Sequence, residues 1–221
     1  MSEIFNILLH INDYLDAWLQ HYGTFIYVIL FAIIFVETGL VIMPFLPGDS
    51  LLFAAGAMCA RISGEADPAL SLLPMIGLLS IAAIAGDHSN YMIGRFGGSR
   101  ISKWTFRGKP IVKESYVEQT EAFFEKYGTK AIVLARFVPI VRTFTPFVAG
   151  IGKMKYRKKF MPYDIFGGIL WISSMSTAGY ILGSNEWVKS HFEAVVIGIV
   201  LLSVSPMVFA YLKLVWQRRQ S

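Results

Sequence analysis

Two apolar stretches of this chain are broken by Pro and Gly and carry charges of opposite sign. Residues 35–56, FVETGLVIMPFLPGDSLLFAAG, hold Glu37 and Asp49; residues 134–152, LARFVPIVRTFTPFVAGIG, hold Arg136 and Arg142. An ionisable group at bilayer depth costs roughly 2.5–3.5 kcal/mol on insertion scales, so four of them call for a physical reason. Broken backbone at that depth must be buried in protein or line a watery cavity, because lipid cannot satisfy free amide groups. Acids in one broken segment and arginines in another point to a site for something anionic, and so to transport.

The surroundings of these stretches support membrane insertion. Of 221 residues, 55% are hydrophobic and only 16% charged, too few charges for a soluble domain of this length. The hydropathy pattern predicts an all-α integral membrane protein as a single domain, with about four spanning helices of roughly 20 residues. Residues 1–22 are expected as an interfacial helix, with Ile4, Leu8, Ile11, Leu15 and Trp18 on one face. They do not read as a secretory signal, since no Lys or Arg precedes Arg61. A span plus a first re-entrant hairpin is expected over 23–60, and further spans over 69–95, 160–183 and 193–216. An amphipathic surface helix is expected over 113–128, ended by Gly128, with a second re-entrant hairpin over 131–152.

The net charge of +5 follows position rather than a nucleic-acid surface, and no nucleic-acid partner is expected. Sixteen of the 20 Lys and Arg fall into three groups: Arg95 to Lys130, Lys153 to Lys159, and Lys213 to Arg219. Placing these in the cytoplasm orients the chain, with both termini cytoplasmic and Arg61 to Pro68 outside. The hairpins then enter from opposite faces, one per half, as in an inverted-repeat transporter with a site near the midplane. Sequence self-similarity is thin: Phe53-Ala54-Ala55-Gly56 against Phe147-Val148-Ala149-Gly150.

Individual residues carry competing readings. Glu37 and Asp49 are candidates for proton coupling, while Asp49, after Pro47-Gly48, equally suits a helix cap. Arg136 and Arg142 flank Pro139, where a bend would aim both at one cavity, and guanidinium suits phosphate through its forked donors. The alternative is an ion-pair network in which the arginines simply neutralise the acids. Asp87, Asn90, Tyr91, Thr143 and Pro146 are candidate cavity-lining residues, with helix packing through Gly86 and Gly94 as the plainer reading. Trp171, Tyr180, Trp187 and Trp216 read as interface anchors. His10, His21, His88 and His191 are scattered without ligand spacing, and the single Cys59 builds no site alone, so no metal and no cofactor are expected.

On these residues the chain resembles the DedA family of bacterial inner-membrane proteins. The matching stretches are ETGLVIMPFLPGDSLLFAAGAM, GDHSNYMIGR, FFEKYGTKAIVLARFVPIVRTFTPFVAGIGKM and Trp171 to Gly183, spread over most of residues 30–183. The resemblance implies a proton-motive-force-dependent transporter of the bacterial cytoplasmic membrane. It also implies a flippase recycling undecaprenyl phosphate, with essential acids at Glu37 and Asp49 and essential arginines at Arg136 and Arg142. The partners so implied are an anionic phospholipid or polyprenyl phosphate, protons and the membrane, and a homo-oligomer is compatible with them.

Two other classes compete. A non-transporting protein of membrane organisation or envelope homeostasis needs only the ion-pair network. A lipid phosphate hydrolase needs a nucleophile, commonly His, near the arginines. No His lies within residues 131–183, so no catalytic residue is assigned and an enzyme is not expected.

Overall fold

The computed structural model describes residues 23–40, 48–62, 70–101, 105–106, 109–110, 114–185 and 198. The expected interfacial helix at 1–22 lies outside the described residues, as does most of the loop Arg61 to Pro68. The expected final span, 193–216, is described only at residue 198.

Helix α1, Ile26–Gly39, follows a 3-10 turn at Gly23–Phe25. Its buried Ile26, Leu30, Ile34 and Thr38 recur every fourth residue and so make one stripe. Helix α2 is Gly48–Ile62, and α3 runs Leu72–Ile101, past the expected end at 95. A two-residue antiparallel ladder follows, β1 (Thr105–Phe106) with β2 (Lys109–Pro110), a small departure from an all-α chain. Helix α4 is Glu114–Tyr127, and Gly128 just beyond it takes φ +58°, the left-handed conformation that commonly ends helices.

The second charged stretch is two helices. The five-residue α5, Ala131–Ala135, stops at Arg136, and α6, Pro139–Ile151, begins with Pro in its first turn. Val138 between them is extended, as a residue before Pro tends to be. A π-type turn at Tyr156–Phe160 leads into α7, Met161–Gly183.

Helices α3 and α7, the latter with its preceding turn, are long and apolar enough to cross a membrane. Leu73, Ile81, Phe96, Phe166 and Ile181 stand exposed on them. Apolar exposure on that scale suits a lipid-facing surface rather than a watery one.

Small residues set how the helices approach. On the α2–α7 crossing, Gly179 meets the Phe53 backbone, Gly56 meets the Ser176 backbone and Gly183 meets Ala57, each too close for a Cβ. The α3–α6 crossing repeats that register: Gly94 meets the Phe147 backbone, Gly150 the Tyr91 backbone, and Gly98 the side chain of Ile151. Such contacts bring backbones together where lipid offers no hydrophobic drive between helices. Helix α3 also packs on α1 and α7, so both crossings share one bundle. Around the first crossing, Leu52, Ala54, Met58, Leu79, Ala83 and Ile172 form the main apolar core.

On α4 the apolar side behaves as its periodicity predicts: Thr120 is buried, while Val117 and Phe124 pack on Phe144, Phe147 and Val148 of α6. Glu118, Glu121 and Glu125 are exposed, but so is Tyr127, at the end of the helix.

Candidate functional site

The fold brings the charged residues together in two groups, each one arginine between two carboxylates. The first collects Glu37 from the last turn of α1, Asp49 from the first turn of α2 and Arg142 from the first turn of α6. Arg142 Nη2 donates to Glu37 Oε1 at 2.7 Å and Nη1 to Asp49 Oδ1 at 2.8 Å. The same Asp49 oxygen accepts from Trp171 Nε1 at 2.8 Å, and the guanidinium carbon lies 4.5 Å over the Trp171 ring. Gly48 presses its Cα against the Glu37 carboxylate, where any side chain would overlap it.

The second group collects Asp87 from the middle of α3, Asp164 from the first turn of α7 and Arg136 from the α5–α6 break. Arg136 Nη2 donates to both Asp87 Oδ2 and Asp164 Oδ1, the latter at 2.6 Å, and also faces the Asp164 carbonyl at 3.3 Å. Gly167 and Gly168 make the flat wall against which this guanidinium lies.

The two groups differ in access. The side chains of Arg136, Asp87 and Asp164 are 4–5% exposed, whereas Asp49 is 15% and Arg142 9% exposed. The Arg142 group is thus the more exposed at Asp49 and Arg142, while its Glu37, at 4%, is as enclosed as the other group. Both have the same charge arithmetic: with every group ionised, one cation stands against two anions. Buried charge of that kind is costly unless geometry and hydrogen bonds offset the desolvation.

Each arginine is paired with its own two carboxylates, Arg142 through both terminal nitrogens and Arg136 through Nη2 alone, while Arg136 Nη1 is buried with no hydrogen-bond partner among the described residues. Asp49 accepts hydrogen bonds from Arg142 and Trp171, so the capping reading is not needed to explain it. Among the cavity candidates, Asp87 joins the Arg136 group. Asn90 Nδ2 donates to the Thr38 carbonyl at 3.2 Å and the Thr143 carbonyl at 2.9 Å, tying α1 and α6 to α3 beside the charges. Thr143 is buried, and Pro146 is buried inside α6, where its ring removes the bond that the Arg142 carbonyl would otherwise accept. Tyr91 belongs elsewhere: its hydroxyl donates to the Met154 carbonyl at 2.5 Å and accepts from Arg95 at 3.1 Å.

Two participants escaped sequence reasoning. Trp171 is fully buried and bonded to Asp49, so the reading of it as an interface anchor is corrected. Asp164 is not among the residues singled out from the sequence; the available signal is a carboxylate inside the apolar run 160–183, three residues before Gly167-Gly168. His88 is half-buried and pairs through Nδ1 with the Tyr156 hydroxyl at 2.6 Å.

The VTT domain model matches residues 46–181. The chain is 43% identical to the protein DedA of Escherichia coli, over 95% of this chain and 93% of that one. It is 37% identical to an uncharacterised membrane protein of Mycobacterium tuberculosis, over 95% and 91% of the two chains. The inner membrane protein YghB of Salmonella typhimurium is 33% identical, over 89% and 86%. No solved structure matches. The chain belongs to the VTT-domain family of membrane proteins, that of DedA.

Proposed function

We propose that this protein is a proton-motive-force-coupled flippase of a phosphorylated lipid, with undecaprenyl phosphate as the substrate, in the bacterial inner membrane. The observation that carries this reading is Arg142, a forked donor held at low exposure by two carboxylates that an anion can replace. Guanidinium remains charged when desolvated and matches phosphate oxygens with two parallel donors. A proton placed on Glu37 cancels its charge and releases Nη2 for a phosphate oxygen. Binding and protonation are then linked at one nitrogen. Arg136, enclosed between Asp87 and Asp164, holds α3 to α7 beside this site and offers a second cation if its aspartates let go.

Alternating access would come from two re-entrant hairpins related as inverted repeats. The matched register of the α2–α7 and α3–α6 crossings supports that relation, because the Phe of each Phe-x-Ala-Gly meets a glycine of a long helix (Gly179, Gly94) and the Gly meets the residue three before it (Ser176, Tyr91). Inner-membrane placement is supported by the Salmonella relative, which is named an inner membrane protein. The basic groups put both termini in the cytoplasm.

The test is lipid translocation by the purified protein in liposomes, with and without an imposed pH gradient. Wild type should translocate a fluorescent polyprenyl phosphate faster with the gradient, whereas Glu37→Gln should show no gradient response. Absence of translocation by wild type would overturn the transport reading. A wild-type gradient response in Glu37→Gln would leave Glu37 as a structural partner of Arg142.

A further inference from the structure

A second binding place lies away from both arginine groups, where α4, the end of α6 and the basic turn before α7 enclose a cleft of about 640 Å³. We infer that this cleft holds the headgroup of an anionic phospholipid, phosphatidylglycerol in particular, as a resident lipid distinct from the transported one. Its floor is apolar, with Phe124, Val148, Ile151 and Met154. Lys153, Lys155 and Lys159 line it from the α6–α7 connection, and Glu121 and Glu125 from α4. The lysines make a place for a phosphate, and Arg157 and Lys158 in the same turn add to the local positive potential. The two carboxylates disfavour a second anion but accept hydrogen bonds from headgroup hydroxyls, which a glycerol headgroup has and phosphate alone lacks. The apolar floor suits the glycerol backbone and the first acyl methylenes.

Lys153 gives an independent reason to expect a ligand. Helix α6 ends in a Schellman turn, with Met154 N–H bonded to the Ala149 carbonyl and Lys153 N–H to the Gly150 carbonyl, both at 3.0 Å. The left-handed position of that turn is normally Gly, yet here it is Lys153 at φ +50°, the only non-glycine with positive φ among the described residues. A lysine costs more in that conformation than a glycine, and Lys153 lines the cleft, so its presence at this position points to use of the ammonium there.

The experiment is native mass spectrometry of the full-length protein in detergent, titrated with phosphatidylglycerol or phosphatidylcholine, alongside thermal unfolding. Wild type should retain one phosphatidylglycerol in preference to phosphatidylcholine. Lys153→Gly should lower that retention about fivefold while unfolding at the same or a higher temperature, since Gly fits the turn better. Replacing Lys155 and Lys159 by Gln should each add about a further fivefold. Gly77→Ala, remote from the cleft and facing open space, should leave it unchanged, and because retention is read without translocation, a failed transport assay and a failed lipid-binding assay remain distinguishable. Equal retention of the two lipids, undiminished retention in the three-lysine variant, or displacement by millimolar inorganic phosphate would overturn the proposal.

Discussion

Arg142 and Trp171 share Asp49: the guanidinium stacks 4.5 Å over the indole while both side chains donate to the same carboxylate oxygen. This arrangement joins α2, α6 and α7 at one carboxylate, so each of the three helices is positioned by the others. It also holds the arginine flat, with its two terminal nitrogens aimed at different acids.

The geometry predicts that Arg142→Lys loses function although charge is kept. Lysine has one terminal nitrogen and cannot reach Glu37 and Asp49 in the same fork, nor stack as a plane on Trp171. A charged hydrogen bond is worth roughly 1.5–3 kcal/mol, so translocation should fall about tenfold or more at unchanged protein level. Wild-type rates in the reconstituted Lys variant would mean that the residue supplies charge alone.

Trp171→Phe separates the two contacts of the indole. The ring face remains for Arg142, while the Nε1–H donor to Asp49 is removed. The expected cost is again roughly 1.5–3 kcal/mol, because the acceptor is charged and mostly buried. Thermal unfolding in detergent should drop for Trp171→Phe, and drop less when Asp49 is already Asn.

For the enclosed group, Arg136→Met should be far worse than loss of either aspartate. It leaves Asp87 and Asp164 facing one another without a cation, at a cost of roughly 3–5 kcal/mol. Adding Asp87→Asn and Asp164→Asn to Arg136→Met should recover part of the folded protein. The readout is the monodisperse fraction by size-exclusion chromatography. No recovery in the triple variant would show that Arg136 matters for something other than neutralising these acids.

Gly94→Ala tests the close helix crossing. A methyl group there runs into the Phe147 backbone, which cannot swing aside, and overpacking of this kind costs about 1–3 kcal/mol. Gly77, on the same helix, faces open space, and its Ala variant should unfold no lower than wild type. Similar melting temperatures for the two variants would refute the tight α3–α6 contact.

Much of this protein is legible in its linear order because insolubility is a local property. Long apolar runs, Pro and Gly breaks and four stranded charges mark the helices and the candidate site without knowledge of neighbours. The break at Arg136–Val138 is readable because Pro139 restricts the residue before it, and the acidic stripe on α4 because a helix repeats every 3.6 residues. Which acid meets which arginine is not local. Asp49 and Trp171 are 122 residues apart, and Asp87 and Arg136 are 49 apart. Packing decides that α2 lies on α7, α6 on α3, and α1 on α3 where Gly39 meets Gly86; together these pair Arg142 with Glu37 and Asp49 while sending Arg136 to Asp87 and Asp164. Periodicity places a side chain on a face of its own helix; what that face meets depends on backbone approach between helices, which is settled by packing.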